Sequence, residues 1–512
     1  MSHPEPSAGA PAVHRRLLFW VALLYFSEGL PLGLFYDLFP VHMRQAGVSP
    51  SEIGLLSLLG LAWTVKFLWA PLVDAWRGHR VWIAAANGGM AAVLATLAMQ
   101  PEAIGAGATW PWVLLAAFTV LSATNDIATD GYTIERLSKG ELGVANGLRI
   151  GFYRVGMLAA GGLLVVAGWT GSATAPNWQM AYALGAVLLT INGTLGLMAP
   201  AGPAPASTSP GGPAGGTLAA EWAVLRRQPR WLLALGLVLA GLLWPVLGPV
   251  AKAAGWEAVQ AHSGTWWFKG ALPVGLMLAG SALLVHAARG PSARIMENGP
   301  VFGAWVGLLG RPGMVPILLF ILLFKLGDAA MGFMVKPFWV DAGFKPEQIG
   351  LVSVNVGLGL SIAGGLVGGL YVDRAGIFKG LWVLGLAQAL SNLAYAGAAA
   401  WVPPTPAGVG VALEHQVMVY GASALESFTG GLGTGAFLAF LMAITDKQRA
   451  TTEYAILSSI FAFSRAVAGW AGGLGVEQMG YAAFFLLTFF LSFPAYGLLP
   501  QVRRMLSRDD LR

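Results

Sequence analysis

Fourteen stretches of about 20 mostly apolar residues, joined by short loops, leave this chain few folds to choose from. They fall near 17–39, 53–75, 81–99, 112–134, 145–168 and 180–199, then 231–250 and 268–288, then 314–339, 349–371, 380–401, 416–443, 453–475 and 480–500. Inside lipid there is no water to satisfy the backbone, so a run of this length closes its hydrogen bonds internally as a helix. Composition points the same way. Hydrophobic residues make up 56% of the chain and charged residues 11%, with mean hydropathy +0.66, against roughly 25% charged in a soluble domain. The expected class is an all-α polytopic membrane protein.

The loops supply the orientation. Alternate ones carry Arg15 and Arg16; Arg77 and Arg80; Arg136 and Lys139; Arg226, Arg227 and Arg230; Arg289, Arg294 and Arg311; Arg374 and Lys379; Lys447 and Arg449; and Arg503, Arg504, Arg508 and Arg512. The opposite loops hold little beyond Arg44, Lys252, Lys269 and Lys345. Basic loops stay in the cytoplasm, so an even number of spans places both termini there. The formal charge of +6 belongs to these loops and implies no nucleic-acid partner. The chain has no cysteine, which removes disulfides and thiolate chemistry. It also has no Walker loop and no metal-ligand spacing, so no cofactor is expected. The first apolar run has no small-residue cleavage site before Pro31 and reads as a retained span.

Two sets of six spans repeat each other. Ala46-Gly47-Val-Ser-Pro50-Ser-Glu-Ile53-Gly54 echoes Ala342-Gly343-Phe-Lys-Pro346-Glu-Gln-Ile349-Gly350, and Arg154 through Gly161-Gly162 echoes Arg465 through Gly472-Gly473. The expected organisation is a mobile segment 1–13, a six-helix half 14–199, a Pro/Gly-rich cytoplasmic linker 200–230 and two extra helices 231–288 outside the repeat. A basic loop 289–313, a second six-helix half 314–500 and a cytoplasmic tail 501–512 complete it. Such a duplicated layout resembles the major facilitator fold, whose substrate site lies between the halves near mid-membrane. Gly369-Leu-Tyr-Val-Asp373-Arg374-Ala-Gly376 matches a loop pattern of those transporters; its counterpart near Asp74 has Ala75 where the Arg would be.

Ionisable groups at membrane depth cost roughly 3 kcal/mol each and persist when they pair, line a wet cavity or carry something. Asp126 and Asp130 are four apart and share a helix face. An antiparallel neighbour would bring Asp126 close to Arg149, and Asp130 with Arg149 reads equally as a structural lock. Arg154 lies deeper and has its repeat partner in Arg465, so one guanidinium from each half is expected at a shared cavity, with Tyr153 beside it. Glu28 is lone and mid-span, next to Gly29 and Pro31, which loosen the helix. It is either a protonation site, because a carboxyl out of water is costly to ionise, or a hydrogen-bond partner of another span. Lys66 calls for an internal partner. Lys325 and Asp328 are three apart and suit a local pair. Asp37 and Lys336 are expected to be solvated at the outer interface. Glu426 lies deep beside Gly430, Gly431, Gly433 and Gly435, which permit close packing.

Phe67-Leu-Trp-Ala-Pro71-Leu-Val-Asp74, Asn125-Asp126-Ile-Ala-Thr-Asp130, Tyr153-Arg154-Val-Gly-Met157, Phe324-Lys325-Leu-Gly-Asp328-Ala and Glu426-Ser-Phe-Thr-Gly430 together resemble the peptide/acetyl-coenzyme-A transporter group of the major facilitator superfamily. Within it they are similar to muropeptide permeases, with siderophore permeases second. Asn125 stands where such permeases usually carry Gln, and Gly131 where Ala is common. The resemblance implies a monomeric secondary transporter of the inner membrane, driven by protons, that imports an anionic peptide-containing solute such as anhydro-muropeptide. A siderophore or an acyl-coenzyme-A-like anion is the alternative cargo; a membrane-embedded enzyme or a transport-inactive sensor is more remote. The implied substrate contacts are Arg154, Arg465, Tyr153, Asn125 and Lys325. Proton coupling falls to Asp126, Glu28 and Glu426, and structure or gating to Asp130, Arg149, Lys66, Asp74, Asp328, Asp373 and Arg374.

Overall fold

The apolar stretches are helices, and the described residues contain no strand. The computed structural model describes residues 15–66, 69–75, 78–136, 142–172, 174–200, 223, 226–253, 255–263, 265, 267–290, 303–445 and 450–509. The segment 1–13, most of the 200–230 linker, the middle of the 289–313 loop, the end of the tail and the Asp74 side chain lie outside the described residues.

The first half comprises α1 (Leu17–Gln45), α2 (Pro50–Val65), α3 (His79–Met99), α4 (Trp110–Arg136), α5 (Leu142–Thr170) and α6 (Trp178–Met198). The extra pair is α7 (Pro229–Ala253) and α8 (Trp267–Ala288). Then come α9 (Met314–Asp341), α10 (Pro346–Ala375), α11 (Ile377–Trp401), α12 (Leu413–Ala443) and α13 (Ala450–Leu491). Among the described residues, eleven stretches are long and apolar enough to cross a membrane. The 53–75 prediction is one continuous span; the structure breaks it at Gly60, and a separate short helix follows at Ala70–Ala75. The last two predicted spans run together in α13, which bends at Gly480 with φ 76°, a conformation open to glycine because it has no Cβ. Beyond a tight turn at Pro494–Leu498 the chain resumes as α14 (Leu499–Asp509), which takes up most of the segment 501–512 expected as a cytoplasmic tail.

The sequence repeat is also a repeat of hydrogen bonds. Gly47 and Gly343 both take a left-handed φ, 84° and 88°. The bonds Gly47 N to Arg44 O and Val48 N to Met43 O recur as Gly343 N to Val340 O and Phe344 N to Trp339 O, all within 2.9–3.0 Å. This is the Schellman stop, in which glycine turns the chain and caps the last carbonyls. The packing recurs as well: α1 lies on α5 as α9 lies on α13, and α2 crosses to α13 as α10 crosses to α5. Facing glycines make the crossings possible, since a Cβ on Gly54 would crowd Trp470 and Gly473, and one on Gly350 would strike the Gly161 carbonyl. The extra pair α7–α8 packs on itself and docks against α2 and α13, with Met277 beside Leu58 and Trp470.

Candidate functional site

Pro31 sets the geometry of the first cluster. Its ring offers no N–H to the carbonyl of Ser27, four residues back in α1. Asn125 of α4 supplies the missing donor: its Nδ2 lies 3.3 Å from Ser27 O and 3.2 Å from Ser27 Oγ, and its Oδ1 accepts from Asn87 Nδ2 of α3 at 2.8 Å. Asn125 is therefore buried and engaged in tying three helices together, with no face left for a solute. Gly29 lets the α5 backbone approach, because a Cβ there would meet the Tyr153 carbonyl. That close approach, rather than a loosened helix, is what this glycine provides. Downstream of Pro31 the helix widens into a π turn at Leu34–Leu38.

The carboxylates of α4 then find partners on three other segments. Asp126 accepts from Lys66 Nζ at 3.2 Å. Asp130 takes Arg149 of α5 at 3.2 Å and the Tyr25 hydroxyl of α1 at 2.7 Å, and the Arg149 guanidinium lies 5.0 Å from the centre of the Tyr25 ring. The predicted pairing of Asp126 with Arg149 is thus divided: the chain just beyond α2 brings Lys66 to the deeper carboxylate and leaves Arg149 to the shallower one. Arg149 keeps 46% of its side chain exposed. Glu28, by contrast, is 5% exposed and its Oε1 has no hydrogen-bond partner among the described residues, although Asp126, Asp130, Lys66 and Arg149 are its charged neighbours.

The second half faces this cluster with a cation. Arg465 of α13 reaches across to α1, its guanidinium 4.7 Å from the centre of the Tyr36 ring. Tyr153 of α5 has Asp126, Glu28 and Arg465 as its charged neighbours. Neither Arg154 nor Arg465 makes an ion pair among the described residues. Arg154 shares its helix face with Met157 and Gly161, three and seven residues on. Met157 lines a cavity of about 240 Å³ between the halves, and Gly161 abuts Asn355 of α10.

That cavity is walled by Asp37 and Met157 from the first half and by Asp328, Ser353, Glu426 and Thr434 from the second. Glu426 opens onto it and accepts from Ser427 Oγ at 3.4 Å, with Asp328, Lys336 and Lys325 as its charged neighbours. Lys325 is 3% exposed and fully engaged: Nζ reaches Gln388 Oε1 and Thr434 Oγ1 at 2.9 Å, Gly430 O at 3.3 Å and Asp328 at 3.5 Å. An ammonium has three protons, so this lysine braces the wall through α11 and α12, and the local Asp328 contact is the longest of the four.

Above the cavity, at the end that carries the 46–49 and 342–345 turns, ion pairs join the halves. Asp37 meets Lys336 at 3.4 Å, and Lys336 also donates to Ser353 Oγ at 2.7 Å. Both side chains are largely buried, so the expected solvation of Asp37 and Lys336 is corrected: α1 and α9 bring them face to face. Arg44 meets Asp341 at 2.7 Å, and the Tyr481 hydroxyl donates to the same carboxylate at 2.7 Å. Asp373 and Arg374 are exposed and lack an ion-pair partner among the described residues. Sequence reasoning missed Tyr25, Tyr36, Gln388 and Thr434. A signal existed for Tyr25, which shares a face with Glu28 at i, i+3.

Comparison with known proteins agrees with this architecture. The profile of the family described as "Acetyl-coenzyme A transporter 1" matches residues 17–86. A putative transporter AmpG 4 of Rickettsia conorii is 25% identical over 492 residues, covering 94% of this chain and 95% of that protein. The anhydromuropeptide permease of Escherichia coli is 26% identical over 490 residues, covering 94% of this chain and 79% of that one. Among solved structures, an auto-inhibited POT family peptide transporter superposes with TM-score 0.62 at 15% identity, covering 96% of this chain and 97% of its own. With its apolar helices, its facing halves and these relatives, the chain is a multi-pass inner-membrane transporter of the major facilitator fold, similar along most of its length to the anhydromuropeptide permeases.

Proposed function

We propose that this transporter imports an anionic, peptide-containing solute of the anhydro-muropeptide type together with protons. The observation that carries the reading is Arg465, a guanidinium of the second half with no ion-pair partner among the described residues, reaching across to Tyr36 of α1, the helix on which Glu28 of the acid cluster has an unsatisfied oxygen; Arg154, likewise without an ion-pair partner there, is its counterpart in the first half. Guanidinium forks bind carboxylates through charge-assisted bonds, which suits the peptide carboxylates of such a solute. Glu28, Asp126 and Glu426 are the candidate proton carriers, and a proton arriving at Asp126 would release Lys66. The relatives named as anhydromuropeptide permeases support this cargo.

An acyl-coenzyme-A-like anion is the second reading, favoured by the family profile over residues 17–86. Uptake into proteoliposomes under an inward proton gradient separates the two, with labelled anhydro-muropeptide, acetyl-coenzyme A and a ferric siderophore in parallel. The expected outcome is accumulation of the muropeptide alone, falling at least tenfold in Arg465→Gln and Arg154→Gln. Accumulation of acetyl-coenzyme A or the siderophore instead would replace the cargo. Unchanged uptake in both variants would remove the arginines from the site.

A further inference from the structure

A second pocket, of about 560 Å³, sits at the opposite end of the second half from the Asp37–Lys336 clasp and shares no residue with the cavity above. It lies between the start of α11 and the terminal helix α14. In α14, Leu499 and Val502 are buried in the same core as Met314, Ile317 and Phe320 at the start of α9, while Arg503 and Arg504 are exposed. Across from them, the first turn of α11 contributes Phe378, Lys379 and, one turn on, Trp382. The Arg503 guanidinium lies 5.7 Å from the centre of the Phe378 ring. Tyr496 braces the two elements by donating from its hydroxyl to Trp382 O at 3.1 Å.

Three cations line this one pocket, and Lys379, Arg503 and Arg504 have no carboxylate partner among the described residues. Like charges gathered without a counter-ion repel, and the fold gains nothing from bringing them together unless an anion joins them. The Trp382 ring, half exposed at the rim, and the Leu499 and Pro500 side of the wall supply apolar surface next to the charges. Amphipathic aromatics belong at the boundary between headgroups and hydrocarbon, and basic pockets on the cytoplasmic side attract acidic lipid headgroups. The basic loops assign this end to the cytoplasm. We propose that the pocket is a binding site for an anionic phospholipid of the cytoplasmic leaflet, with the phosphate held by Arg503, Arg504 and Lys379 and the glycerol and upper acyl chains lying against Trp382 and Phe378.

The test is native mass spectrometry of the purified full-length transporter in detergent, given phosphatidylglycerol or phosphatidylethanolamine, with inorganic phosphate as a competitor. Wild type should retain phosphatidylglycerol at least fivefold better than phosphatidylethanolamine. The K379Q/R503Q/R504Q variant should lose that preference, and K379R/R503K/R504K should keep it. Single Arg503→Gln and Arg504→Gln variants, each expected to lower retention at least twofold, serve if the triple variant does not fold by circular dichroism. Equal retention of the two lipids by wild type, undiminished retention in the glutamine variants, or displacement of the lipid by millimolar phosphate alone would each overturn the assignment.

Discussion

At the scale of single residues, the site is a matter of which charges are satisfied and which are not. Lys66 and Asp126 satisfy each other at 3.2 Å with both side chains partly buried. Removing one strands the other, which costs on the order of 1–3 kcal/mol, between the exposed and buried limits for ion pairs. Lys66→Gln and Asp126→Asn should each lower the melting temperature, and the double variant should recover part of the loss. A thermal-melt double-mutant cycle measures that coupling, and strict additivity would show that the contact carries no stability. Much of this chemistry was readable before any fold was known, because charges stand out in apolar sequence and Lys66 visibly needed a partner. The identity of the partner was not readable. Sequence spacing measures distance along one helix, whereas the Lys66–Asp126 contact depends on how separate segments lie against each other. Asn125 shows the same limit: its role follows from the carbonyl freed by Pro31, 94 residues earlier in the chain and on a different helix.

At the scale of elements, the helices were legible where one apolar run makes one helix, as in α3, α6 and α11 despite their interior glycines, and less so where a run breaks or two runs merge. Gly60 divides a predicted span, and Gly480 joins two that a simple run-length reading keeps apart. The clasp between α1 and α9 was legible as residues and misread as solvated groups, because nothing in Asp37 or Lys336 alone says that another helix covers it. Its two ion pairs, Asp37–Lys336 and Arg44–Asp341, join the halves at this end. Weakening both with Lys336→Gln and Asp341→Asn should let that end open. The chain has no cysteine, so spin labels placed at Glu102→Cys and Lys345→Cys, both exposed in loops at that end, report it directly. The distance distribution should shift to longer values in the double variant, whereas an unchanged distribution would mean that the facing glycines of α2, α5, α10 and α13 close that end without the charges.

At the scale of the whole molecule, one duplicated half-sequence explains the repeated Schellman turns and the crossed packing of α2 on α13 and α10 on α5. The repeat itself was legible, since turn glycines and small-residue faces are local features that survive duplication. The bend that merges the last two spans and the docking of α7–α8 were not, because both are properties of packing. In the proposed function, solute and proton move together through the space between the halves. Proteoliposomes loaded with a pH-sensitive dye test it when anhydro-muropeptide is added outside with no imposed gradient. The predicted result is solute-dependent acidification of the lumen by wild type, reduced at least tenfold in Arg465→Gln and in Glu28→Gln. Muropeptide uptake with no accompanying acidification would contradict it.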